Sequence, residues 1–158
     1  MKIVLAAVGR LKDGPERALA ARYAGRVDDA GRGVAIGPVS VHEIAEGRGR
    51  TAPERMRAEA DALRAKLPET FIALDERGRA LSSQDFAERI GAIRDGGAGA
   101  LGIVIGGPDG LDPSLREAAA LTLAFGPMTW PHQIVRVLAA EQLYRAVTIL
   151  AGHPYHRA

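Results

Sequence analysis

The 158 residues contain no cysteine, which excludes a disulfide framework and any thiolate metal site. No uncharged apolar run approaches the ~18 residues that a membrane span needs. The opening MKIVLAAVGRLKDG is too short in its apolar part for a secretory signal, and no small-residue cleavage site follows, so a cytoplasmic protein is expected. Lysine is scarce, with three against 18 arginines, and the net charge is only +2, too weak by itself to argue for nucleic acid. The standard catalytic signatures are missing too. There is no GxxxxGK[ST] phosphate loop, no GxGxxG after the first strand, no HExxH and no GxSxG elbow. The four histidines have no carboxylate partners at metal-ligand spacing, so no metal is expected.

What is present is the composition of a soluble globular chain, 47% apolar and 25% charged, long enough for one domain spanning 1–158. An arginine-dominated cationic surface suits phosphate contacts and stacking on bases, and it equally follows from a GC-rich genome. Strand-like and helix-like segments alternate. Lys2–Val8 is a buried strand closed by Gly9, and helical spacing runs from Glu16 to about Val27. Val34–Ile44 contains Gly37 and Pro38 and reads as an edge or bulged strand. AEGRGRT, with Arg48 and Arg50, is a solvated connector or an RNA-contacting loop.

Thr51 and Glu54 form a capping box for a helix that runs to about Lys66 and stops at Pro68. Thr70–Leu74 is a strand, DERGRA a turn, and Ser82 the cap of a helix to about Arg94. Leu101–Ile105 is a central strand, Asp112–Pro113 starts a helix, and Ala120–Phe125 is a short fifth strand. The last helix covers about Gln133–Leu150. Such alternation predicts an α/β fold, a mostly parallel sheet with helices on both faces. Ligands in these sheets sit beyond the carboxyl ends of the strands, which selects the loops after Leu74, Ile105 and Phe125.

IGGPDGL places Gly106, Gly107 and Gly110 after a strand, either for close approach of a ligand to backbone amides or only for a tight turn. In FGPMTWPH, prolines stiffen the backbone around Met128, Thr129 and Trp130. That loop offers stacking surfaces and main-chain groups to a flat heterocycle, or it is a satellite cluster packing the loop down. The final helix is apolar nearly all round, which implies burial on several sides and a subunit interface. Its charges Arg136, Glu141 and Arg145 then need partners, and Glu141 and Arg145 can pair at i,i+4. The chain closes in HPYHRA, two imidazoles, a phenol and a guanidinium where ends normally fray.

IGGPDGL, PHQIVRVLAAEQLYRA and HPYHR, in this order and with MKIVLAAVGRLK and FIALDERG, resemble the RlmH group of SPOUT methyltransferases over essentially the full length. That group methylates N3 of a pseudouridine in 23S rRNA. The resemblance implies a homodimer with a C-terminal trefoil knot, S-adenosylmethionine as cofactor, and assembled ribosomes as substrate. Carried over position by position, the cofactor residues are Leu74, Gly106, Phe125, Gly126, Pro127, Met128, Thr129 and Trp130. The catalytic set is His153 and His156 for proton handling, Tyr155 for stacking or hydrogen bonding, and Arg145 and Arg157 for anion contacts. Trp130 stands where a smaller aliphatic residue is usual, Asp109 where glutamate is commoner, and Ala158 where a charged residue is frequent. The alternatives are a SPOUT methyltransferase acting on another RNA such as tRNA, and a non-catalytic ribosome-associated module.

Overall fold

The computed structural model describes residues 1–156, the side chain of His156 excepted. Five strands form one all-parallel sheet: β1 (Lys2–Val8), β2 (Val39–Ile44), β3 (Phe71–Ala80), β4 (Ala100–Ile105) and β5 (Leu121–Ala124), in the spatial order β2-β1-β4-β3-β5. Five helices connect and follow them: α1 (Pro15–Gly31), α2 (Ala52–Arg64), α3 (Ser83–Asp95), α4 (Pro113–Ala118) and α5 (His132–Leu150).

The two faces follow from the two-residue period of the strands. Ile3, Leu5 and Ala7 of β1, Leu101, Ile103 and Ile105 of β4, and Ile72 and Leu74 of β3 join one core. Val27 of α1, Phe86 and Ile90 of α3, and Leu143 and Val147 of α5 close that core. The alternate residues Ala6, Val8, Phe71, Ala73 and Val104 join a second core under Ala60 and Leu63 of α2 and Leu115 of α4. The predicted helices on both faces are therefore present, α1, α3 and α5 on one side and α2 and α4 on the other. A run hydrophobic at every position needs both.

The predicted caps form as well. Thr51 accepts from the Glu54 amide in a complete capping box, Ser82 accepts from Asp85 N, and Asp112 accepts from Ser114 N ahead of Pro113. Two boundaries differ from expectation. Residues Arg32–Val34 form a 3-10 turn, and Gly37 at φ +108 precedes Pro38, so the edge strand β2 begins only at Val39. DERGRA is not a turn but the second half of β3. Leu123 of β5 pairs with both Leu74 and Arg79, so Asp75–Gly78 bulge out between them. Gly78 serves close approach: a Cβ there would lie 2.6 Å from the Leu123 carbonyl carbon. Bulges of this kind re-aim side chains beside sites.

Buried Arg136 ties α5 to the far edge of the sheet, donating to Glu43 Oε1 on β2 at 2.7 Å and to the carbonyls of Val8 and Gly9 after β1.

Candidate functional site

The carboxyl ends of β3, β4 and β5 open on one cavity of about 360 Å³. Leu74, Ile105, Leu111 and Leu123, all under a tenth exposed, make an apolar floor. Met128 and Trp130 line the same cavity while 72% and 42% exposed, which is unusual for large apolar side chains without a ligand to cover them. Trp130 is fixed through its indole N–H, which donates to the Phe125 carbonyl at 3.4 Å, while Gly126 turns the loop at φ +99. The rim is charged of both signs, with Asp75, Glu76, Arg77, Asp109 and Arg116.

Each loop is braced. Asp75 pairs with Arg116 of α4 at 3.2 Å and accepts the Arg77 amide at 2.9 Å, which stiffens the β3 bulge. Asp109 takes a bidentate pair from Arg55 of α2 at 2.7 and 3.1 Å, and that guanidinium holds its carboxyl below the usual carboxylate range. A Cβ on Gly106 would strike the Gly110 backbone at 2.7 Å, and one on Gly107 would meet Val8 at 2.9 Å. Gly106 is required by the loop's own closure and Gly107 by its packing on β1, and the same loop lines the cavity. Beneath Gly107 lies buried Glu59, one carboxylate oxygen accepting the Gly47 amide at 2.8 Å.

The tail lies elsewhere. Residues Pro154–His156 form a 3-10 turn against α5, with the His153 amide donating to Thr148 O at 2.8 Å. Glu141 Oε1 accepts from Arg145 Nε at 3.0 Å, from the Arg145 terminal nitrogen at 2.6 Å and from the Tyr155 hydroxyl at 3.2 Å. The pair with Glu141 raises the Arg145 pKa, so the guanidinium stays charged, and its carbon lies 5.1 Å over the Tyr155 ring. Burial, then the Tyr23 hydroxyl and the Glu141 charge, push the Tyr155 phenol up, so it is a proton donor at neutral pH. His153 Nδ1 accepts the Tyr155 amide at 3.1 Å, which leaves the proton of a neutral ring on Nε2.

A family model described as predicted SPOUT methyltransferase matches residues 1–156. The chain belongs to the SPOUT methyltransferases. Within that family it is 57% identical to the ribosomal RNA large subunit methyltransferase H of Bradyrhizobium diazoefficiens and 58% identical to that of Xanthobacter autotrophicus, each over 100% of both chains. Among solved structures, the SpoU methyltransferase AviRb of Streptomyces viridochromogenes with AdoMet is 14% identical, covers 94% of this chain and 60% of that one, and superposes with a TM-score of 0.41.

On this SPOUT chain the cavity gathers Leu74, Gly106, Phe125, Gly126, Met128, Thr129 and Trp130 from the expected cofactor set. Pro127 is the exception: it is exposed and outside the lining, because the loop turns at Gly126 immediately before it. Arg145 and Tyr155 come together on Glu141, and His153 adjoins them through the Tyr155 amide. Arg157 and the His156 side chain lie outside the described residues. Sequence reasoning missed Asp75 and Arg116, hidden in the supposed turn and a short helix. It also missed Tyr23, Arg26 and Tyr144, which nothing in the linear pattern joins to the tail. Among the described residues no three His, Asp or Glu side chains are grouped as a metal site, and no helix is long and apolar enough to cross a membrane.

Proposed function

We propose that the chain transfers methyl from S-adenosylmethionine to N3 of a pseudouridine in large-subunit ribosomal RNA, on assembled ribosomes in the cytoplasm and as a homodimer. The observation that carries this reading is the single cavity built by all three predicted loops in a chain whose full-length relatives bear the name of a large-subunit RNA methyltransferase. The residues present fit the cofactor. The apolar floor and the exposed Met128 and Trp130 suit a purine, and main-chain groups of the Gly126–Trp130 loop suit its edge. When bound, S-adenosylmethionine supplies an electrophilic methyl group on a sulfonium sulfur.

The acceptor is an imide nitrogen that must lose a proton before it is nucleophilic. In this reading Arg145, kept charged beside Glu141, stabilises the resulting anion, His156 accepts the proton, and His153, whose Nδ1 is taken by the Tyr155 amide, presents Nε2–H as a donor. Tyr155, whose hydroxyl donates to Glu141, serves the base through its ring, and Arg157 contacts phosphate. Positioning the two reactants contributes up to about 7–11 kcal/mol in favourable cases.

The separation of these groups supports the dimer. Val135 lines the cavity, whereas Arg145 holds the tail, about 15 Å further along the axis of α5. A tail anchored there serves the cavity of a second copy, and the partly exposed Ile134, Val135 and Leu138 are apolar surface for that copy to cover. The trefoil knot belongs to the same proposal: β5 lies at the sheet edge beyond β3, and α5 returns to pack on α1 and α3.

The test is transfer of labelled methyl from S-adenosylmethionine to ribosomes from a strain lacking the modification, mapped by nucleotide. Label on one large-subunit pseudouridine is expected. Label on tRNA alone, or none with cofactor affinity intact, overturns the substrate; loss of label in Tyr155→Leu tests the tail.

A further inference from the structure

The chain has three tyrosines, and all of them meet at one point on the surface opposite the cavity-lining end of α5. Tyr23 comes from α1, Tyr144 from α5 and Tyr155 from the tail. The Tyr23 and Tyr144 rings lie 6.0 Å apart and the Tyr144 and Tyr155 rings 4.6 Å apart, tilted by 41° and 59°. Such offsets are the favourable ones for aromatic pairs. The Arg26 guanidinium, one turn beyond Tyr23, sits 5.7 Å from the Tyr23 centroid and 5.6 Å from that of Tyr144, a cation shared by two ring faces.

Within residues 151–155 only Tyr155 is withdrawn from solvent; Ala151, Gly152, His153 and Pro154 are exposed. The register of the tail therefore depends on where this one ring docks. Its hydroxyl proton is committed to Glu141, so in the 3.5 Å contact with Tyr23 it is the Tyr23 hydroxyl that donates. A phenol fixed at its face by Tyr144 and Arg145 and at its oxygen by Tyr23 and Glu141 has little freedom left. His153 is bound to the same ring's residue through the Tyr155 amide, so locating Tyr155 locates His153 as well.

We propose that Tyr23 and Arg26 are positioning residues for methyl transfer: they form, with Tyr144, the dock that presents the tail to the reaction without touching either reactant. The proposal rests on the reading that the tail takes part in catalysis. It differs from a plain packing role, because Arg26 is exposed and its removal leaves the core untouched.

The experiment measures three quantities on the full-length protein for Arg26→Ala, Tyr23→Leu, Tyr155→Leu and the two double variants with Tyr155→Leu. They are hydrogen exchange of the C-terminal peptide 151–158, affinity for S-adenosylhomocysteine, and kcat/KM for ribosomes. In Arg26→Ala and Tyr23→Leu the tail amides exchange faster and kcat/KM falls about tenfold, the scale of one or two cation–aromatic contacts, while cofactor-product affinity is unchanged. Arg26→Lys recovers part of the loss. In the Tyr155→Leu background neither substitution has a further effect on exchange. If Tyr155→Leu is impaired but Arg26→Ala and Tyr23→Leu keep normal exchange and turnover, the dock is refuted and the catalytic tail stands. If Tyr155→Leu itself turns over normally, the catalytic tail is refuted and the positioning role falls with it.

Discussion

Arg136→Met removes a charge whose side chain is 8% exposed and leaves its partners behind. Glu43 keeps the Leu11 amide at 2.8 Å but loses its cation, and the Val8 and Gly9 carbonyls lose their donor. Burial lowers the Arg136 pKa and Glu43 opposes that, and the guanidinium remains charged at neutral pH. Glu43 keeps 23% of its side chain in water, so the loss is about 2–3 kcal/mol, below the ~3–5 of a fully buried pair, and falls mainly on the stranded carbonyls. At about 2–4 °C per kcal/mol for a chain of this length, Tm falls by about 4–12 °C. Adding Glu43→Gln neutralises the stranded carboxylate while keeping an acceptor for Leu11, so the double variant is more stable than Arg136→Met alone by about 0.5–1 kcal/mol. Urea unfolding of all four proteins at one subunit concentration measures the coupling. Cofactor-product affinity falls in the single variant too, since His132 and Val135 of the first turn of α5 line the cavity. A loss under about 1 kcal/mol, or a double variant no better than the sum of the singles, refutes this account of how α5 is seated.

Trp130 is the only tryptophan and lines the cavity, so selectively excited tryptophan emission reports on that loop; S-adenosylhomocysteine is expected to shift it to the blue as solvent leaves the ring, and an unchanged spectrum at saturating ligand refutes the site. Gly78→Ala places a Cβ within 2.7 Å of Thr122 and Leu123 backbone atoms and forces β3 and β5 apart. Calorimetry should show a loss of about 1–3 kcal/mol, with weaker cofactor-product binding, because Leu123 lies on the cavity floor. The Tyr155 pKa is raised above the ordinary value of about 10, so its contribution to stability is full below pH 10 and lost as pH rises toward the folded value. Tyr155→Phe should flatten the stability profile above pH 10 and remove the latest phase of tyrosinate absorbance; an unaltered alkaline titration refutes the burial of that phenol.

What could be read from the residues alone divides along the range of the interactions. The strands from Lys2 and Ala100 and the first half of that from Phe71 are apolar runs because both faces are covered, and the caps at Thr51, Ser82 and Asp112 act within three residues, so the element order and these helix starts were legible. The cavity was legible too, because the carboxyl-end rule needs only the strand order in the chain. DERGRA misled because its glycine looks the same whether it turns the chain or lets Leu123 approach, and only the partner strand decides. The dock of the tail joins Tyr23 to Tyr155 across 132 positions, and nothing periodic links them.

That long-range contact also accounts for a local oddity, the final helix with apolar residues on every side. A helix serving only its own core needs one apolar stripe. Here Ala139, Leu143 and Val147 fill the core, His132 and Val135 border the cavity, and Glu141, Tyr144 and Arg145 hold the tail. Cavity and tail stand at opposite ends of the helix, and Ile134 and Leu138, which continue the Glu141–Arg145 stripe toward the cavity end, are left for a second copy in the proposed dimer. In that dimer the cavity and the tail, about 15 Å apart on one helix, complete each other across the interface.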